Sequence, residues 1–204
     1  MNISIILAHP NPGSFNHAIA QTAAEALRRN NHTVALRDLY REQFPPLLSA
    51  AELQPKAPLD PVIAGHCREI VGADGIIIVH PNWWGMPPAI LKGWIDRVLR
   101  MEIAYRFVEN DKGEGVPVGL LKARTAVVFN TANTPPDRER EIFGDPLENL
   151  WKKCVFDLCG VRQVHRRTFS VVITSTPEQR AAWLVEVAET VTCHFPAAAR
   201  RRVS

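Results

Sequence analysis

The chain has 204 residues and a formal net charge of +3 at neutral pH. Its length suits one full-sized domain, and its 46% hydrophobic and 22% charged residues exclude a disordered chain. No stretch approaches the roughly 20 apolar residues of a membrane-spanning helix, and the amino terminus shows no basic region or cleavage signature. We therefore expect one cytoplasmic domain over residues 1–196 without membrane insertion, followed by a basic tail at 197–204.

The tail and the cysteines narrow the function classes further. Much of the positive charge lies in Arg200, Arg201 and Arg202, and without them the chain is close to neutral. A nucleic-acid partner therefore has little electrostatic support, and we interpret the tail as a solvated end. The cysteines show neither a C-x-x-C pair nor zinc-ligand spacing, which predicts reduced, mostly buried thiols and no metal site. They are Cys67, Cys154, Cys159 and Cys193.

The first predicted strand covers residues 2–8, and its nearly continuous apolar residues favour a central place in a parallel sheet. The loop His9–Asn16 follows it and leads into a helix, with Ser14 as a plausible N-cap. The free N–H groups and the dipole of a helix start form an anion site. Gly13 has no side chain and therefore allows a ligand to approach the backbone closely. The loop lacks G-x-G-x-x-G and G-x-x-x-x-G-K-S/T, which disfavours a dinucleotide-binding Rossmann half and a P-loop. For His9 a purely structural role is the alternative.

A second short strand is predicted over residues 33–37. It is followed by an irregular, proline-rich excursion over residues 41–61 and by a helix over residues 61–71. Because this helix and the next strand continue the same alternating pattern, the excursion is interpreted as a surface loop rather than a linker between domains.

Residues 75–100 form the unit around which the chain is organised. A β-branched run over residues 76–79 predicts a strand buried on both faces, ending at His80-Pro81, and Pro87-Pro88 precedes an amphipathic helix. Ligands of open α/β sheets bind at the carboxyl ends of the strands. The adjacent tryptophans between strand and helix therefore predict a flat aromatic ligand, with packing in the core as the alternative.

The remaining elements continue the alternation. Residues 102–108 are extended and form either a hairpin or a flap over a site. A fourth strand is predicted over residues 124–129 and is followed by a small polar loop at 130–137. This loop either hydrogen-bonds the edge of a ligand or is a plain connection between a strand and a helix. The last predicted elements are a helix at about 146–158 that ends at Gly160, a fifth strand at 161–169 and a helix at 177–194.

Five strands alternating with helices predict a doubly wound parallel sheet with helices on both faces. Right-handed crossovers restrict the strand order mostly to flavodoxin-like or Rossmann-like arrangements. In the flavodoxin-like order 2-1-3-4-5 of the predicted strands, the first, third and fourth strands are neighbours. Their loops then converge on one crevice that combines an anion site, an aromatic platform and polar amides.

Three segments carry a specific resemblance: LAHPNPGSFNHA, PNWWGMPPAILKGWIDRV and FGDPLENLW. They resemble the flavodoxin-like NAD(P)H:quinone oxidoreductase family of flavodoxin-2 type, which includes mammalian quinone reductases and bacterial relatives called modulators of drug activity or general stress proteins. The resemblance extends from residue 2 to about 195. It implies a homodimer with a flavin at the subunit interface, and two-electron hydride transfer from NAD(P)H to a quinone by a ping-pong mechanism.

The resemblance also implies which residues contact the flavin. The matching positions are His9, Ser14, Phe15 and Asn16 for the phosphate loop, Pro81, Asn82, Trp83 and Trp84 beside the isoalloxazine ring, and Asn130, Thr131, Ala132 and Asn133 at the ring's edge.

Two departures from the family pattern matter. A tyrosine and a histidine that are thought to assist charge relay in the mammalian enzymes are replaced here near Asp137 and at Phe143, so no catalytic side chain is assigned. Proton handling must then differ, and quinone need not be the best acceptor. The excursion at 41–61 is shorter than in the FAD-binding mammalian enzymes, which favours FMN over FAD.

Other functions remain open at this level. Relatives of the family serve as ancillary subunits of potassium-efflux systems, so a flavin-binding regulatory subunit with little turnover is the main alternative. An electron-transfer flavodoxin is disfavoured, because a strongly acidic surface is expected there and the net charge is +3. The residues do not choose between NADH and NADPH, nor among quinone, nitro and azo acceptors.

Overall fold

Five parallel strands form the central sheet of the computed structural model, which describes residues 1–54 and 57–197. The predicted tail therefore lies almost wholly outside the described residues. The strands are β1 (Asn2–Leu7), β2 (Thr33–Asp38), β3 (Gly75–Pro81), β6 (Thr125–Thr131) and β7 (Gln163–Phe169). The sheet order is β2-β1-β3-β6-β7, which is the predicted order 2-1-3-4-5 once an inserted hairpin is left out of the count.

The inserted hairpin consists of β4 (Tyr105–Glu109) and β5 (Gly115–Gly119), which pair antiparallel as a separate two-stranded sheet. Of the two interpretations of the extended stretch, the hairpin is therefore confirmed. Its apolar side chains Phe107 and Val116 are exposed, so it adds surface rather than core.

Helices cover both faces of the sheet because β3 presents apolar side chains to both. Ile77 and Val79 pack on the side of α1 (Phe15–Arg29), whereas Ile76 and Ile78 pack on the opposite side. The first face is covered by α1 and α6 (Pro177–His194), and the second by α2 (Pro61–Gly72) and α3 (Ala89–Val98). The predicted sandwich of helices around a fully buried central strand is confirmed.

The helix predicted over residues 146–158 has two parts. A short α5 (Pro146–Asn149) continues into wider π-helical turns over Leu150–Asp157, and the chain then leaves at Gly160 with a positive φ of 85°. The extent of the prediction is confirmed, but most of the segment is not α-helical. In these turns Trp151 is completely buried. A further short helix, α4 (Pro136–Glu141), precedes this segment.

A buried ion pair holds the excursion after β2 against α3. Arg97 Nη2 donates to both carboxylate oxygens of Glu52 at 2.9 Å, and only 7% of each side chain is exposed. Glu52 lies in a short 3-10 turn, Ala50–Leu53. This part of the excursion is thus packed onto the domain, as expected for a loop rather than a linker.

All four cysteines are free, but only Cys67 and Cys159 are buried. The prediction of mostly buried thiols is therefore wrong for Cys154 and Cys193, which are exposed. Among the described residues no helix is long and apolar enough to cross a membrane.

Replacing Arg97 tests the importance of this ion pair. Arg97→Met leaves the Glu52 carboxylate buried without its cation, so we expect the free energy of unfolding to fall by about 3–5 kcal/mol in urea denaturation. The matched control is Lys92→Met, which breaks the exposed pair of Lys92 with Asp96 on the same helix and should cost less than about 1 kcal/mol. Equal losses in the two variants would contradict the assignment.

Candidate functional site

The loops after β1, β3 and β6 meet at the carboxyl edge of the sheet. The N–H of Asn82 donates to the carbonyl of Thr131 at 2.7 Å, and Asn16 Nδ2 donates to Thr131 Oγ1 at 2.9 Å. The rings of His9 and Trp83 have centroids 6.0 Å apart. These contacts join all three predicted loops around one crevice.

The start of α1 provides donors for an anion. Ser14 is the N-cap, as predicted, and its Oγ accepts from the N–H of His17 at 3.3 Å. Within the described part of the chain the N–H groups of Phe15 and Asn16 have no partner. The Phe15 ring packs against that of Trp183, so only the Phe15 backbone is available to a ligand. A cavity of about 860 Å³ opens beside this loop.

Two residues outside this loop, His17 and Asp38, extend its hydrogen bonds, and the sequence did not single them out. The ring of His17 lies between Ser14 and Asp38, with Nδ1 2.9 Å from Ser14 Oγ and Nε2 3.1 Å from Asp38 Oδ2. The three-residue spacing from the cap to His17 places both on one side of the helix, and this spacing was the available signal. Burial lowers the pKa of the neighbouring His9, whose Nδ1 accepts from the N–H of Asn11 at 3.1 Å.

The tryptophan pair lies in a tight turn closed by reciprocal backbone hydrogen bonds of 3.0 Å between Trp83 and Met86. Its central residues, Trp84 and Gly85, have positive φ values of 56° and 71°, as in the turns that favour hairpins. Trp84 is fully exposed and Trp83 is 42% exposed. Core packing is therefore excluded as the role of Trp84 in this chain. A bulky residue in a left-handed conformation is strained, which is a common property of functional loops.

Asn82 has a buried acceptor without a partner in the same loop. Its Nδ2 donates to Glu139 Oε1 at 2.9 Å, whereas its Oδ1 is buried and has no hydrogen bond among the described residues. An unpaired buried acceptor costs about 1–3 kcal/mol. The polar groups of this loop are thus incompletely satisfied by the protein itself.

The third predicted loop begins later than expected. Asn130 and Thr131 belong to β6, because the parallel register with β3 continues to the pair Pro81 and Thr131. Asn130 is completely buried, and its side chain contacts His80 and Arg166, so it does not face the crevice. This corrects the expectation that the Asn130 side chain is available at the loop.

The loop proper, from Ala132, is tied to the segment after β7. The N–H of Ala132 donates to the carbonyl of Phe169 at 2.9 Å, and its carbonyl accepts from the N–H of Val172 at 3.0 Å. Asn133 Oδ1 accepts from the N–H of Ile173 at 2.9 Å. The loop is therefore held in place by its own polar groups.

A neutral histidine lies beneath the crevice. The Nδ1–H of His80 donates to the carbonyl of Pro81 at 2.8 Å, which leaves Nε2 to accept from Trp151 Nε1 at 2.9 Å and from Asn130 Nδ2 at 2.8 Å. Complete burial lowers the pKa of His80 to about 4. The ring thus links β3, β6 and the π-helical turns at the end of the strand that precedes the tryptophan loop, which no sequence motif indicated.

Asp137 and Phe143, which the resemblance places near and at the positions of the family's tyrosine and histidine, lie on and after α4. The Asp137 side chain is 78% exposed and pairs with Arg140. Phe143 is 50% exposed, with the Arg138 guanidinium 5.6 Å from its ring centroid. Their role in proton handling stays a prediction, as does the set of flavin contacts as a whole.

A doubly wound parallel sheet with polar and aromatic loops at its carboxyl edge defines an α/β protein of flavodoxin-like architecture. The family with the flavodoxin-like fold matches residues 1–191, and the chain belongs to this family. It is 36% identical over 194 residues to an uncharacterized NAD(P)H oxidoreductase of Haemophilus influenzae, with 92% of each chain covered.

Two further proteins are similar over most of their length. Ribosyldihydronicotinamide dehydrogenase (quinone) of Rattus norvegicus is 32% identical over 205 residues, with 89% of this chain and 87% of the relative covered. The crystal structure of a Streptococcus mutans protein shares 30% identity at a TM-score of 0.82, with 94% of this chain and 98% of that chain covered.

The buried histidine predicts a specific pH dependence of stability. An unfolded histidine has a pKa of about 6.5, so below that pH the unfolded chain binds a proton that native His80 does not. Its contribution to stability is therefore complete above pH 6.5 and is lost as the pH falls to about 4, with a slope of up to about 1.4 kcal/mol per pH unit.

Urea denaturation of the parent and His80→Asn across this pH range measures that slope. The other titrating groups affect both proteins, so the difference between the two slopes isolates His80. Parallel curves would show that His80 is not held neutral.

Proposed function

We propose that this protein is a flavin-dependent NAD(P)H dehydrogenase that reduces a quinone or a similar planar acceptor. The observation that carries the proposal is the contact between the loops after β1 and β3, where a helix start with free N–H groups lies beside an exposed tryptophan turn. The similarity to relatives named as NAD(P)H and quinone oxidoreductases supports the same activity.

The residues fit a flavin mononucleotide. The N–H groups of Phe15 and Asn16, with the Ser14 hydroxyl, would hold the phosphate, since a helix start favours an anion. The rim of the crevice is Trp83, whose ring is only partly buried and is available to the isoalloxazine ring. The incompletely satisfied loop at Asn82 is consistent with a polar ligand edge nearby.

A bound flavin would supply the redox chemistry, which is two-electron hydride transfer from NAD(P)H to the acceptor by a ping-pong mechanism. The chain's own contribution is position and electrostatics. His80 stays neutral and donates to the carbonyl of Pro81, and this hydrogen bond holds the end of β3 in place. The backbone hydrogen bonds of Ala132 with Phe169 and Val172 hold the loop after β6 in place.

We favour FMN over FAD because of where the excursion after β2 packs. The helix α3 begins next to the tryptophan turn and runs away from the crevice, and Glu52 is bound to Arg97 in its last turn. This part of the excursion therefore lies toward the opposite end of the helix. It is badly placed to contact an adenine that extends from the crevice.

We also propose a homodimer with the site at its interface. Four large apolar side chains are exposed on the loops around the crevice, and a second copy of the chain would cover them. They are Trp84, Met86, Ile142 and Phe143. A cytoplasmic location fits the four free cysteines, because disulfides are rare there.

The proposed activity is tested by the visible absorption spectrum. After FMN and FAD are added separately and the protein is desalted, we expect a retained flavin spectrum, stronger with FMN, that bleaches on anaerobic addition of NADH or NADPH. Turnover with a quinone should then give parallel double-reciprocal plots. A colourless protein would overturn the proposal, whereas bound flavin without turnover on quinone, nitro or azo acceptors would favour the regulatory alternative.

The tryptophan turn provides a sharper test. Because Trp84 is fully exposed, Trp84→Ala should leave folding stability nearly unchanged yet raise the dissociation constant of FMN about fivefold, corresponding to ~1 kcal/mol. The matched control is Leu47→Ala, which removes an 85% exposed apolar side chain elsewhere and should not alter flavin binding.

Sedimentation equilibrium of the same two variants separates direct stacking from contact across a dimer interface. A dimer that dissociates only in Trp84→Ala places Trp84 in the interface. If Trp84→Ala binds FMN as tightly as the parent, the turn is not part of the flavin site.

A further inference from the structure

A hydrogen-bonded relay beside the first loop is not explained by the proposed flavin site alone. Asp38, His17 and Ser14 form a continuous chain of hydrogen bonds that ends at the N-cap hydroxyl of α1. The side chains of His17 and Asp38 are each only 14% exposed. Both line the cavity of about 860 Å³ together with Gly13 and Ser14, so the relay faces this cavity beside the start of α1.

The direction of the hydrogen bond between Ser14 and His17 depends on the protonation of the ring. In the neutral ring, Nε2–H donates to Asp38, so Nδ1 must accept and the Ser14 hydroxyl hydrogen points at His17. In the protonated ring, Nδ1–H donates to Ser14 Oγ. The hydroxyl hydrogen is then free to turn toward a ligand.

The oxygen of Ser14 can serve in both states. It already accepts from the N–H of His17 at 3.3 Å, which uses one lone pair. With the second lone pair taken by Nδ1–H, its single hydrogen donates to the anion at the helix start. The protonated form therefore adds one charge-assisted hydrogen bond to the ligand, and the neutral form withholds it.

We propose that His17 is a positioning residue that sets the direction of the Ser14 hydroxyl, so that a bound phosphate monoester and a proton on His17 stabilise each other. The inference rests on the proposed flavin site and adds a residue and a linkage to it. Phosphate binding then draws a proton onto His17, and loss of that proton weakens the hold on the phosphate.

The groups around His17 allow this behaviour. The carboxylate of Asp38, at the end of β2, lies 3.1 Å from Nε2 of the ring, and the ring of His9 in the first loop lies 6.3 Å away between centroids. Tyr40 and Arg41, which follow β2, line the same cavity, and Arg41 also favours an anion there. Histidine is the side chain that ordinarily changes charge between pH 5 and 8.

The test compares FMN with riboflavin, which lacks the phosphate. Dissociation constants are measured by flavin fluorescence between pH 5.5 and 8.5 for the parent and for His17→Gln, so that the ionisation of the phosphate itself, near pH 6, cancels in the comparison. We expect the parent to lose roughly tenfold more FMN affinity than His17→Gln as the pH rises, and riboflavin binding to show no such difference.

Three variants identify the route of the effect. In Ser14→Ala the extra loss of FMN affinity with rising pH should disappear, because the hydroxyl that responds to His17 is gone. In Asp38→Asn it should persist but move to lower pH, since the imidazolium loses its carboxylate. His194→Gln removes a histidine at the far end of α6 and should behave like the parent.

Nitrogen-15 spectra of the histidine rings give a second measurement. Addition of FMN at constant pH should increase the doubly protonated fraction of the His17 ring. The inference is overturned if the parent and His17→Gln share one pH profile of FMN affinity. It is also overturned if Ser14→Ala keeps the profile of the parent, because His17 would then act only as a point charge. If the parent binds FMN without this dependence, only the inference fails; if it binds no flavin, the proposed function fails with it.

Discussion

The pairing of β3 between β1 and β6 is the constraint on which the rest of the structure depends. Because all three strands are parallel, their carboxyl ends lie at one edge, and the loops that follow them must meet there. β3 can occupy this position because its side chains are apolar on both faces, so that helices cover it from both sides. The crevice is thus a consequence of burying one strand completely.

Polar side chains then convert this shared edge into a defined arrangement. His80 ties the end of β3 to Asn130 and Trp151, and Asn16 ties α1 to the end of β6. These groups are buried and paired, so moving any one of the loops would leave others without partners, at a cost that buried polar groups rarely bear. The exposed tryptophan turn, in contrast, is held mainly by its own backbone hydrogen bonds. Buried, hydrogen-bonded side chains next to an exposed aromatic turn are suited to hold a planar ligand.

Some elements of this structure follow from local sequence pattern, whereas others do not. Ser14 was found as an N-cap from local pattern alone, since a cap depends on the next three residues of the chain. The boundary at Asn130 was missed because β6 is extended by pairing with β3 and β7, which are distant in sequence. The π-helical turns were also missed, since the hydrophobic spacing of residues 150–157 does not distinguish them from an α-helix.

The sequence by itself determined the strand and helix alternation and the three loops, because these follow from periodicity and turn chemistry within short windows. It restricted the sheet order to flavodoxin-like or Rossmann-like arrangements. It also carried the resemblance from which the flavin contacts were proposed. Only the tertiary structure decided which side chains face the crevice. It turned Asn130 inward to His80, left Trp84 in solvent, and joined Asp38 to Ser14 through His17. Such pairings depend on contacts between segments far apart in the chain, and no periodic sequence pattern indicates a hydrogen bond between them.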